Sequence, residues 1–293
     1  MKRNQELITR KYKKRSRLGE TLHRLKKNKG AMAGLGVIIA IFLVFIGSLF
    51  LDFEQVTVSN ARAILQKPSL QYPFGTDHMG RNILLRVVYG SRYSLAIGCG
   101  VVAIAAFFGI FFGAVAGYYG GTVENVIMRC NDVLASIPGM LFGMVLMTTL
   151  GQSLFNLILA VGITSIPVYT KITRASVLTV RNQEYIEAAR AIGLSNFRII
   201  FTQILPNALS PVIVVMTTSF GLAIIIASGL SFVGFGVPLP HPEWGSLISA
   251  GRQYARTAGW IMTFPGVAIM LVVLAFNLMG DGLRDALDPK LKR

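Results

Sequence analysis

The sequence predicts an all-α integral membrane protein with six transmembrane helices and both termini in the cytoplasm. Three observations carry this. Only 14% of the 293 residues are charged and 53% are hydrophobic, whereas a soluble domain is roughly 25% charged. Five stretches lack Asp, Glu, Lys and Arg altogether: 31–51, 93–123, 133–170, 199–242 and 257–280. A hydrocarbon core about 30 Å thick needs about 20 apolar residues in a crossing helix. The third observation is where the basic residues fall. The net charge is +16, and 12 of the 29 Lys and Arg lie between Lys2 and Lys29, directly before the first apolar run. That placement fits the positive-inside rule and an anionic inner leaflet. A nucleic-acid partner is not expected, because the tail carries one aromatic, Tyr12, and no base-stacking pattern.

The first span is 31–51. It is too long for the apolar part of a secretory signal, and no small-x-small cleavage site precedes Asp52. The second span is predicted near 94–117, with Gly109, Gly113 and Gly117 forming a ridge that lets another helix approach closely. The run 133–170 is too long for one helix and reads as two, near 133–150 and 153–170, turning at Leu150-Gly151-Gln152-Ser153. Pro138 and Pro167 are expected near span ends on one side. The fifth span is predicted near 208–231, followed by a proline-rich loop in which Trp244 is an interface anchor. The sixth is 257–280, with Trp260 at its entrance.

Six crossings with the N-terminus inside put 22 basic residues in the inner segments and 7 in the outer ones, as the rule requires. The chain divides into a basic cytoplasmic tail (1–30), a first helix with its outer loop (31–92), a transmembrane domain (93–281) and a short cytoplasmic C-terminal tail (282–293). No ionisable Asp, Glu, Lys or Arg lies in the runs, which argues against a proton-coupled transporter or a voltage-gated channel. Ion coupling through backbone carbonyls by a stand-alone transporter stays open. His23, His78 and His241 are isolated and lack metal-ligand spacing. His78 and His241 read as solvated loop residues. There is no phosphate-binding Gly-x-x-x-x-Gly-Lys-Ser/Thr loop and no catalytic cluster, so neither catalysis, a metal nor a cofactor is expected in this chain.

The most informative segment is the inner loop 171–206. Glu184 to Gly193 reads as a short helix of good formers stopped by glycine. Asn196 opens a second helix, 197–205, which Pro206 is expected to close. Ala188 and Ala189 leave a low surface suited to a cleft in a partner or to capping the bundle.

Glu187-Ala188-Ala189, then Gly193, then Leu205-Pro206 resemble the EAA signature of binding-protein-dependent ABC permeases. The family usually has isoleucine two places before the leucine-proline pair; Gln203 stands there, with Ile204 beside it. Phe74-Gly75-Thr76-Asp77-His78-Met79-Gly80-Arg81-Asn82 is similar to the outer-loop signature of the peptide/nickel branch, where Asp is commoner than Asn at the last position. Ser231 to Pro238 with Pro242-Glu243-Trp244-Gly245, then Phe264-Pro265-Gly266, and finally Asn277 to Pro289 resemble its C-type permease subunit.

The resemblance implies the type I ABC importer permease fold in a bacterial plasma (inner) membrane. It implies a homologous second permease, two cytoplasmic ATPase subunits that bind ATP and Mg, and an extracytoplasmic substrate-binding protein as partners, with membrane lipid around. Glu187, Ala188, Ala189, Gly193, Leu205 and Pro206 would couple to the ATPases. Asp77, Arg81, Glu243 and Trp244 would lie in the outer loops that face the binding protein. The implied cargo is a dipeptide or oligopeptide, with nickel or a metal chelate as the alternative.

Overall fold

The computed structural model describes residues 17–287, and among them every regular element is helical. A short amphipathic helix α1 (Arg17–Lys27) leads into α2 (Lys29–Ser48), whose N-cap Asn28 accepts a hydrogen bond from the Ala31 N–H. At 1.5 Å per residue α2 spans about 30 Å, one membrane thickness. The loop after α2 carries the one-turn helix α3 (Phe53–Thr57).

The second span, α4 (Ile83–Tyr119), is 37 residues long and starts eleven residues before the expected point. Its N-cap is Asn82, which accepts from the Leu84 N–H. Arg86 and Arg92 can join the helix because carbonyls elsewhere receive them: Arg86 donates to Val56 O, and Arg92 to Ser48 O and Leu51 O.

The third span differs from expectation. It is a pair, α5 (Gly121–Ser136) and α6 (Gly139–Leu150), bent by 87°. Pro138 forces Ile137 into extended backbone (φ −89, ψ 126), and a helix cannot run through that. The turn at Gly151, with φ +83, is where the sequence puts it. Helix α7 (Leu154–Arg181) then runs eleven residues past the predicted end, and Pro167 lies in its middle rather than near a terminus.

After the short helix α8 (Glu184–Ala191), α9 runs over Asn196–Phe235 as one 40-residue helix. Pro206 does not close a helix. A π-helical turn over Ile200–Ile204 precedes it, with the Leu205 N–H reaching back to Ile200 O. The wider turn makes room for the proline ring. The N-cap is Ser195, not Asn196. Helix α10 (Trp244–Gly251) interrupts the expected loop, and α11 (Trp260–Leu287) begins at Trp260 and continues seven residues beyond Gly280. Among the described residues five helices are long and apolar enough to cross a membrane, six when the bent pair is counted as one span.

The glycine ridge does what its spacing predicts. A Cβ on Gly113 would sit 2.6 Å from Thr170 O, and one on Gly117 2.8 Å from Val177 Cβ, so α4 and α7 meet backbone to backbone. Phe220 of α9 stacks on Phe276 of α11 at 4.0 Å. The start of α2 and the end of α11 share the end of the bundle that carries α8: Asn28 Nδ2 donates to Asp285 Oδ2 at 3.1 Å, and Gly282 packs on Ala31.

Candidate functional site

Helix α8 is built to protrude and yet be held. Glu184 and Glu187 occupy its first turn and Arg190 its last, which suits the helix dipole. It ends in a Schellman turn: Gly193 N–H bonds Arg190 O at 2.9 Å and Leu194 N–H bonds Ala189 O at 3.2 Å, with Gly193 at φ +79. A non-glycine residue would be strained there. One face is anchored. Ile186 and Ala189 are buried in a cluster with Ala114 and Tyr118 of α4, Val177 and Val180 of α7, and Ile199, Ile200, Ile204 and Ala208 of α9. Leu205 belongs to the same cluster, whereas Pro206 is exposed. Tyr118 Oη donates to Asn196 Oδ1 at 2.7 Å, and Arg181 donates to Gly117 O at 2.8 Å, which fastens the neighbouring helix ends.

The other face is open. Glu187, Ala188 and Gly193 are exposed. Around them lies an apolar surface that sequence reading did not single out: Ile192 (77% exposed), Phe197 (71%) and Phe201 (47%), the two rings 4.5 Å apart. The i, i+4 spacing of Phe197 and Phe201 was the available signal. The two alanines therefore part company: Ala188 faces out, while Ala189 is core.

The opposite end of the bundle holds Asp77, Arg81, Glu243 and Trp244. All four are buried, none more than 5% exposed. They hold the loops at this end together. Asp77 Oδ2 pairs with Arg81 Nε at 2.7 Å, and its Oδ1 accepts from the backbone N–H of Met79 and Arg81. Arg86 stands behind, its Nε 3.8 Å from Asp77. Trp244 is not an interface anchor; its indole lies over Gly90 and donates from Nε1 to Val87 O at 2.9 Å. Glu243 caps α10, accepting from the N–H of Gly245 (2.7 Å) and Ser246 (2.8 Å). Burial pushes its carboxyl pKa up, and those hydrogen bonds pull it partly back.

Three separated motifs meet here. Phe74 stacks on Phe264 at 3.9 Å, Trp260 Nε1 donates to Thr76 O at 3.1 Å, and the Trp244 backbone N–H donates to Ser94 Oγ at 3.2 Å. His78 and His241 are half-buried rather than solvated: His78 stacks on Tyr254, and His241 Nδ1 lies 2.8 Å from Tyr93 Oη. Asn82 replaces the commoner Asp as an N-cap, a role both serve equally well.

Comparison with known proteins agrees with this architecture. Residues 109–293 match the family described as binding-protein-dependent transport system inner membrane component. Residues 16–68 match the N-terminal TM domain of oligopeptide transport permease C. The chain is 44% identical over 273 residues to the dipeptide transport system permease protein DppC of Alkalihalophilus pseudofirmus, covering 93% of this chain and 90% of the relative. It is 42% identical over 282 residues to the protein of that name from Escherichia coli K12, covering 94% of each. Among solved structures, an inward-facing MetNI methionine ABC transporter superposes with a TM-score of 0.57 at 19% identity, over 70% of this chain and 98% of that one. With several apolar spans among the described residues, a cap welded from three motifs at one end and a half-anchored helix at the other, the chain belongs to the binding-protein-dependent transport system inner membrane components, the multi-pass permeases of ABC transporters.

Proposed function

We propose that this chain is one of two permease subunits in an ATP-driven importer of di- or oligopeptides, and that α8 is its contact with a cytoplasmic ATPase. The single observation that carries the reading is the double character of α8. Its exposed face, with Glu187, Ala188 and the rings of Phe197 and Phe201 close by, is free to enter a cleft, while Ile186 and Ala189 root it in a core shared by α4, α7 and α9. A displacement of α8 thus moves three spans as a rigid unit, the two-state rocking that alternating access needs.

In this reading ATP and Mg are bound and consumed in the ATPase subunits, and this chain contributes no catalytic residue. The N-terminus, α8 and the C-terminus face the cytoplasm. A binding protein docks at the opposite end, on exposed loop residues such as Leu70 rather than on the buried Asp77, Arg81, Glu243 and Trp244. Peptide cargo is supported by the relatives, which are named as dipeptide and di/tripeptide permeases; nothing favours the nickel alternative.

The test is crosslinking in the intact complex combined with uptake in proteoliposomes. Ala188→Cys should crosslink to the co-purifying ATPase and Leu70→Cys to the binding protein, and labelled dipeptide should accumulate when ATP is supplied on the α8 side. Crosslinks with the two partners exchanged would refute the orientation. ATP-driven uptake of a metal chelate without peptide uptake would refute the cargo.

A further inference from the structure

The C-terminal motif divides between two faces of α11. Gly282 and Asp285 face α2, packing on Ala31 and bonding Asn28. Asn277, Asp281 and Arg284 recur at i, i+4 and i+7, one face of a helix, and line two cavities instead. The larger cavity, about 920 Å³, opens at the α8 end, where α1, α7, α9 and α11 meet. Its walls include Ser176, Gln183, Ser210 and Thr218, neutral hydrogen-bonding groups, and three charged residues, Arg24 of α1 and Asp281 and Arg284 of α11. The smaller one, about 260 Å³, shares Thr218 and continues past Asn277 to the apolar side chains of Leu222 and Ile225. Among the described residues no ion pair engages Asp281 or Arg284.

These features belong together chemically. Residues three or four apart on a helix hold their Cβ atoms about 5–6 Å apart. The ammonium and carboxylate of an extended dipeptide are separated by about 7 Å, two residues at roughly 3.3–3.6 Å each. The cavity lies within the size range of small-ligand sites, about 300–1,000 Å³. We infer that Asp281 and Arg284 receive the two charged ends of a short peptide, the ammonium on Asp281 and the carboxylate on Arg284, before its release at the α8 end. The hydroxyl and amide groups along α7 and α9 serve the peptide backbone, so the site reads the termini and ignores the side chains. This rests on the peptide-importer reading and assigns that cargo a specificity site.

The experiment uses the complete transporter in nanodiscs without nucleotide and a photoreactive dipeptide, p-benzoylphenylalanyl-alanine. Label should map to the segments around 207–218 and 277–284. Free dialanine should compete; N-acetyl-dialanine should compete about ten-fold more weakly, as should dialaninamide. Asp281→Asn should weaken dialanine about ten-fold and leave N-acetyl-dialanine where it was. Arg284→Gln should do the same for the amide. A merely structural role would weaken all competitors alike and would overturn the inference, as would equal competition by blocked and free peptides. Wild-type complex that transports dipeptide but labels elsewhere sinks this site alone. Complex that neither transports nor binds any dipeptide sinks the cargo reading beneath it.

Discussion

The indole Nε1 of Trp244 donates to the carbonyl of Val87 at 2.9 Å, joining the cap of α10 to the first turns of α4 across 157 residues of chain. Trp244 is 3% exposed, and Gly90 makes the space it fills. Trp244→Ala should therefore cost about 3–5 kcal/mol, the range for truncating a buried aromatic. Trp244→Phe keeps most of the packing and should cost about 1 kcal/mol, the usual worth of one hydrogen bond. Thermal unfolding of the purified protein in detergent checks both, and the order Ala worse than Phe is the outcome that matters.

Ala188 and Ala189 should respond in opposite ways to enlargement. Ala189 is buried among Ile186, Val180 and Ile199, so Ala189→Leu overpacks a filled site and should destabilise by about 1–3 kcal/mol. Ala188 is exposed. Ala188→Trp should leave the melting temperature within a degree or two, as expected for surface positions, yet abolish ATP-driven uptake. Equal loss of stability from both would remove the distinction between root and contact face.

Gly193 has open space around it, but its φ of +79 belongs to glycine. Gly193→Ala should cost about 1 kcal/mol from the left-handed backbone alone. Gly193→Trp adds bulk beside the exposed face. It should insert normally while uptake and ATP hydrolysis become uncoupled, and full transport by this variant would sink the lever role.

Glu243 gives a pH dependence of definite sign. Its folded-state pKa is raised above the ordinary glutamate value of about 4.3, so the folded form holds the proton more tightly. The associated stability is fully present below that ordinary value and is lost as pH climbs through the raised one. Glu243→Gln keeps a capping oxygen without a titrating proton. Unfolding temperatures across acid to neutral pH should fall for the native protein relative to the variant, and parallel profiles would exclude the effect.

Much of this architecture is legible in the linear sequence, for physical reasons that also mark where legibility ends. Apolar runs locate spans because lipid tolerates few alternatives, and Gly109-x-x-x-Gly113-x-x-x-Gly117 reports a close helix contact because only a missing Cβ permits one. Gly193 is readable as a helix stop for the same reason. Span ends were not readable where charges are compensated from afar. Arg86 and Arg92 look like loop residues until Val56, Ser48 and Leu51 supply their acceptors. Pro206 looks like a terminator until a π turn accommodates it. Asp77, Arg81, Glu243 and Trp244 carry polar atoms that usually mean a surface, and only the meeting of three distant motifs buries them.

The clasp between Asn28 and Asp285 bears on how the protein is made. Helix α2 finds much of its packing surface on α11, which is made more than 200 residues later in the chain. Helix α2 must therefore wait in the bilayer, incompletely dressed, until α11 has been made. Closure of that seam reports that α11 has been made, so a chain truncated before it leaves α2 unclasped and open to quality-control proteases.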